Sequence, residues 1–175
     1  LIIATGVVYL QMQFMKNKDL GFSKEQTLVL KVPLQDSSVT SSLQLIKNEL
    51  LQNSSITKVA GCSNVPGTPF GQILQFIQTE TGKEERAMHI MIVDEDLLPM
   101  LGVKMQAGRG FSKEFPADKQ RGFIVNEAAV RAFGWKKPLG MSIENGLGYS
   151  GEIIGVVKDF NFSSLHSPIE PLVIL

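Results

Sequence analysis

The sequence of 175 residues holds one cysteine, two histidines, one tryptophan and two tyrosines. A single thiol cannot close an internal disulfide, so cysteine leaves the redox compartment open. Cys62, in Val59-Ala60-Gly61-Cys62-Ser63, reads as a small buried apolar residue. An excess of either charge is also missing, since 17 basic residues face 17 acidic ones. That balance argues against nucleic acid as a partner, because phosphate binding draws on clustered Lys and Arg. A run of about 20 apolar residues, the length that crosses a bilayer, is absent as well. Leu1 to Leu10 carries no charge but is too short to span. A signal peptide would begin with Met and a basic segment, and this stretch does neither. It reads as a buried element or as the tail of a membrane-spanning helix. The second reading is preferred, because Tyr9 sits where an interfacial aromatic would and Gln11, Gln13, Lys16, Asn17 and Lys18 follow.

Catalytic constellations are equally scarce. Catalysis needs a poised base together with a nucleophile or a metal. His89 falls in an expected hairpin strand and His166 in a Ser/Pro-rich loop, neither with a ligand partner at i+3 or i+4. Glu85 precedes His89 by four residues, a long reach along a strand, so no zinc or iron site is expected. Asp94-Glu95-Asp96 runs into Leu97-Leu98-Pro99 rather than into the alternating oxygen ligands of a calcium loop. These acids read as the start of a short helix. The glycines of 102–110 lack the Gly-Lys-Ser/Thr ending of a phosphate loop, which excludes ATP hydrolysis by this chain. Ser112 and Ser150 lack nucleophile-elbow flanks. Phe160 and Phe162 around Asn161 read as packing after a strand rather than as a stacking platform. The expectation is no catalytic residue, no cofactor and no metal.

What is present is an alternation of short elements. A helix leaving Leu10 has no Pro or Gly before Gly21 and so can continue as a stalk. Thr27 to Val32 is β-branched and apolar up to Pro33, which predicts a strand. Asp36 or Ser37 offers a cap for a helix carrying Val39, Leu43, Ile46 and Leu50 on one face and ending near Asn53. Ile56 to Cys62 predicts another strand. After a loop over 64–71, Gln72–Thr79 and Arg86–Val93 read as a hairpin turning at Thr81-Gly82-Lys83. Gly122 to Asn126 predicts a strand whose last residue caps a helix, 127–133, closed by Gly134. Strands at 140–144 and 152–158 flank the turn 145–148, and Pro171 to Leu175 is a last strand.

The pattern predicts an α+β fold of two split β-α-β halves, a ferredoxin-like, porter-type sandwich with helices on one face of a mixed sheet. Residues 1–20 would form the helix end and stalk. Residues 21–62 and 121–175 would form the core, and 63–120 a smaller, β-rich inserted lobe.

Four segments in order carry a family resemblance. They are Asp96 to Phe111, with Leu101, Gly102, Gly108, Arg109 and Phe111; 122–134, with Asn126 and Gly134; 137–141, with Pro138 and Gly140; and 152–160, with Gly155, Val156, Val157, Asp159 and Phe160. Together they resemble the MacB-like periplasmic core domain of FtsX/MacB-type ABC transporter permeases. Met141 departs from the basic residue commoner there. Asn17 to Glu25 also resembles the segment after the first membrane helix of such permeases.

The resemblance implies an extracytoplasmic domain of a permease in a bacterial cytoplasmic membrane. Its partners would be a second permease copy, a cytoplasmic ATPase and, through flanking helices, the membrane. The domain would couple ATP-driven helix motion to export or to signalling outside, without catalysis of its own. The motif residues read as scaffold. A ligand-binding or sensor module for a peptide or lipid is the rival, and an exposed apolar patch over 65–77 would favour it.

Overall fold

The computed structural model describes residues 2–32, 37–79, 82–165 and 167–175. His166, Pro33, Asp36 and Thr81, all singled out by the sequence, lie outside the described residues. Two helices come first, α1 (Ile2–Asn17) and α2 (Ser37–Leu50). The hairpin β1 (Gln72–Thr79) and β2 (Gly82–Met91) follows. Next come α3 (Leu97–Leu101), β3 (Met105–Gly108) and α4 (Asp118–Arg121). The chain finishes with β4 (Gly122–Asn126), α5 (Glu127–Ala132), β5 (Ser142–Asn145), β6 (Ser150–Val157) and β7 (Leu172–Ile174).

The protein is α+β, but the sheet formed by the described residues is not two split β-α-β halves. It is a seven-stranded sheet in the order β3-β6-β4-β7-β2-β1-β5, and β5 pairs back onto β6. The ring β6-β4-β7-β2-β1-β5 is therefore a closed barrel, which removes free strand edges that would invite non-native pairing. One edge of β6 pairs in parallel with β4 over 152–157. Its other edge is shared, β5 taking 150–152 and β3 taking 155–157.

The two strands predicted at 27–32 and 56–62 are corrected. Neither segment joins a ladder, apart from a single bridge between Cys62 and Val93. Leu28, Val29 and Leu30 are exposed. β-branched, apolar composition favours a strand only where a neighbouring strand offers a half-buried surface, and these segments have none. β1, β2 and β3, from the expected 63–120 lobe, are instead strands of the barrel sheet.

Side chains alternate across each strand, and the alternation sorts them into two cores. Every strand of the ring contributes to one of them, including Ile77, Met88, Phe123, Ile143, Ile153 and Val173, so this cluster fills the barrel interior. Ala129 and Trp135, from α5 and the turn after it, join the same cluster. The intervening residues Ile124, Val157, Leu172 and Ile174 face outward and are covered by Leu97, Leu98 and Leu101 of α3 with Phe70, Phe160 and Phe162.

Candidate functional site

The N-terminal helix and the barrel meet at one tight contact. The described apolar side chains of α1 gain little from the rest of the chain, since Ile3, Val7, Val8, Tyr9, Leu10 and Met12 are all exposed. No helix among the described residues is long and apolar enough to cross a membrane. After Asn17 the chain turns at Asp19, whose Oδ1 accepts from the Gly21 N–H at 2.8 Å. Gly21 has φ 77, and a Cβ there would lie 2.9 Å from both the Asp159 carbonyl oxygen and the Phe160 Cα. Only glycine combines that backbone angle with so close an approach.

Hydrogen bonds hold the approach from both sides. The Asn161 N–H donates to the Leu20 carbonyl at 2.8 Å, and the Ser23 N–H donates to the Leu101 carbonyl at 2.7 Å. Phe22 packs edge-on to Phe160, with ring centroids 6.3 Å apart. Residues 20–23, after α1, are thus tied to the segment after β6 and to the end of α3.

That segment is fixed in turn to α5. Asp159 Oδ1 accepts from the Ala128 N–H at 2.8 Å, its other oxygen pairs with Arg131, and its own N–H donates to Glu127 Oε2 at 3.1 Å. The Arg131 guanidinium is held further toward its charged form by this carboxylate. A carboxylate on the free N–H groups of the first turn of α5 is also favoured by the helix dipole. Asn126 completes the fastening. Its Oδ1 accepts from the N–H groups of Ala129 and Leu172, both at 3.0 Å, and its Nδ2 donates to the Glu170 carbonyl at 2.9 Å.

The remaining motif residues shape the turns and the β3–β6 crossing. Gly102 and Gly134, both with positive φ, follow α3 and α5, and Gly140, also at positive φ, precedes β5. Pro138 accepts from the Met141 N–H at 3.2 Å. At Gly108 and Gly155 an added Cβ would drive into the carbonyls of Ile154 and Arg109 respectively. Val156 and Val157 are buried on opposite faces of the sheet. Arg109 pairs with Asp118 through both guanidinium nitrogens and lies 4.1 Å above the Phe115 ring. Phe111 is half-buried against the outer core. The structure therefore gathers Leu101, Asp159 and Phe160 around Gly21 and Ser23, while Gly108, Arg109 and Gly155 cluster at the crossing of β3 and β6.

Sequence reasoning missed three features. Gly151 approaches the Arg121 backbone too closely for any Cβ, a contact between α4 and β6 that local sequence does not advertise. Lys47 of α2 reaches Asp94 and Asp96 at 2.7 Å each, which pins α2 to the barrel. The Lys47 hydrogen bond holds the Asp96 carboxyl below its ordinary range. Burial pulls Lys47 down, but the hydrogen bonds to Asp94 and Asp96 and their two charges together push it up. The third feature is Glu95, which pairs with Lys113 and Lys119. The acidic triplet therefore binds lysines from other elements, and α3 begins after it with no side-chain cap.

His89 is buried, with Nε2 2.6 Å from Glu170 Oε2 and its ring 5.4 Å from that of Phe162. The hollow lined by 161–164 and 167–170 measures about 10 Å³, room for roughly one water molecule. Among the described residues no three His, Cys, Asp or Glu side chains are placed to hold a metal ion. The stretch 65–77 does not form an apolar patch, for Phe70 and Ile77 are buried and Leu74 is its one large exposed apolar residue.

No family model and no curated protein matches the chain. Among solved structures it resembles the periplasmic region of MacB from Actinobacillus actinomycetemcomitans, with a TM-score of 0.51 and 18% identity, covering 73% of this chain and 60% of that one. It also aligns with the extracellular domain of the ABC-type transporter YknZ from Gram-positive bacteria, with a TM-score of 0.46 and 19% identity, covering 65% of this chain and 54% of that one. The chain thus spans little more than half the length of these solved chains. The fold it shares is that of the MacB periplasmic region.

Proposed function

We propose that this chain is the extracytoplasmic domain of an ABC-transporter permease, and that its barrel moves as one body with the helix end that carries it. The observation that carries this reading is the junction at 19–23. An exposed apolar helix meets the outer side of the barrel at a glycine that admits no side chain, between hydrogen bonds to Leu101 and Asn161. The exposed face of α1 is matched to a hydrocarbon surrounding, where those side chains would be buried. A shift of α1 is passed to Asp159–Asn161, then through Asp159 and Asn126 to α5 and the barrel wall. The motif resemblance over 96–160 and the fold shared with the MacB periplasmic region support the same reading.

In this role the domain does no bond chemistry. It transmits motion between ATP-driven membrane helices and events outside, which requires a rigid body on a stiff connection. A second permease copy and a cytoplasmic ATPase are the partners this role requires. Inserting flexible glycines between Asn17 and Asp19 in the full permease tests the proposal. The expected result is sustained ATP hydrolysis with export greatly reduced; export at the wild-type rate would overturn it.

A further inference from the structure

Two buried amides lie among the apolar side chains of the barrel interior. Gln75 of β1 is 0% exposed and Asn145 of β5 is 2% exposed. Both are on the inward face, since Gln75 alternates with Ile73 and Ile77, and Asn145 with Ile143, all members of the interior cluster. The two residues are directly paired in the β1–β5 ladder. The Gly146 N–H donates to the Leu74 carbonyl at 2.9 Å, so 74 and 146 are the hydrogen-bonded pair. Gln75 and Asn145 are then the adjacent non-hydrogen-bonded pair, the arrangement that brings side chains closest, with Cβ atoms about 4.5–5.5 Å apart.

The turn determines which way Asn145 presents its amide. Its Oδ1 accepts from the N–H groups of both Leu147 and Tyr149 at 3.0 Å, which fixes the oxygen on the turn. Nδ2 must therefore donate elsewhere. Nδ2 of Asn145 and both polar atoms of Gln75 are buried and have no hydrogen-bond partner among the described residues. Trp135 Nε1, in the same interior cluster, is a further buried donor without one. An unsatisfied buried amide group costs about 1–3 kcal/mol. Four such atoms in one small barrel are more than a stable interior carries unpaired.

We propose that the barrel binds an internal water between Gln75 and Asn145. The water accepts from Asn145 Nδ2 and donates to Gln75 Oε1, leaving its second hydrogen and second lone pair for further partners in the interior. Such a molecule is a structural ligand with two to four polar contacts, and it is costly to remove. Its place has a consequence for the fold. β5 is the short strand that closes the ring by pairing with both β1 and β6. A slip of β5 by one residue would turn Asn145 out of the interior and leave Gln75 facing no amide, so the bound water favours the closing register.

The test uses the whole chain, held in mild detergent because of α1. A crystal structure at about 1.5 Å should show a density peak within about 2.7–3.2 Å of both Asn145 Nδ2 and Gln75 Oε1. Water-oxygen relaxation dispersion should register at least one long-lived internal water in the wild type and one fewer in Gln75→Met. A dry interior in which Asn145 Nδ2 donates directly to Gln75 Oε1 would overturn the proposal. So would an unchanged long-lived water count in Gln75→Met. If that variant fails to fold, the wild-type density alone decides.

Discussion

Replacing Gly21 with alanine isolates the junction from the rest of the fold. The substitution adds one methyl group at φ 77, where the new Cβ would meet the Asp159 oxygen and the Phe160 Cα at 2.9 Å. Left-handed backbone costs a residue with a side chain about 1–2 kcal/mol. Crowding a packed backbone contact adds about 1–3 kcal/mol. The docked junction is thereby weakened by at least about 2 kcal/mol, or about 30-fold in its opening equilibrium. The barrel core lies elsewhere, in residues such as Phe123 and Ile153 that do not touch Gly21, so its stability should hold. Native-state hydrogen exchange separates the two. The amides of Ser23 and Asn161 should exchange about 30-fold faster in Gly21→Ala, while those of β4 keep their protection. Unchanged exchange at Ser23 and Asn161 would refute the reasoning, and an equal loss of protection in β4 would show that the junction is not a separate unit.

Other consequences follow from the same packing. Phe123→Ala empties a fully buried position in the barrel and should cost about 3–5 kcal/mol, lowering the thermal midpoint by about 10 °C in calorimetry. Gly155→Val places a side chain against the Arg109 carbonyl and should yield insoluble protein on expression, whereas Gly71→Ala, which meets nothing and has no left-handed backbone, should stay soluble. The tie between Lys47 and Asp96 gives α2 a bounded pH range. The Asp96 carboxyl is depressed, so its contribution is present above the ordinary carboxylate pKa and lost as pH falls through the lowered value. Lys47 is raised, so its contribution is complete below the ordinary lysine pKa and lost as pH climbs through the raised one. Proteolysis of the 51–60 segment after α2 should therefore be slow near neutrality, faster below about pH 4, and pH-independent in Lys47→Met.

Much of the later chain could be read from local signals. Asn126 before Glu127, with Gly134 beyond, announced a short capped helix, and α5 runs from Glu127 with the Asn126 side chain accepting from Ala129. The hairpin at 72–91 and the strands β6 and β7 showed alternating or continuous apolar residues, and their bounds shift by only a few positions. What failed was non-local. Thr27 to Val32 and Ile56 to Cys62 have strand composition, yet strand formation is decided by a pairing partner far away in sequence. β3 went unseen because Met105-Gln106-Ala107-Gly108 has little β preference and pairs only because β6 leaves that edge free. Barrel closure depends on β5 pairing with strands on both sides, and no spacing along the sequence encodes that. At the junction, Gly21 and Phe160 were visible as residues, but 139 positions separate them and only the folded backbone brings them together.

Placement of the barrel relative to the membrane is the claim on which the rest depends. In the proposed full-length permease with Cys62→Ser, single cysteines at Leu147→Cys and Val7→Cys can be probed on intact cells with a thiol reagent that cannot cross membranes. The account predicts labelling from outside at position 147, on the exposed turn before β6, and none at position 7, in the apolar helix. Labelling at position 147 only after the cells are broken would place the barrel on the cytoplasmic side and contradict the account.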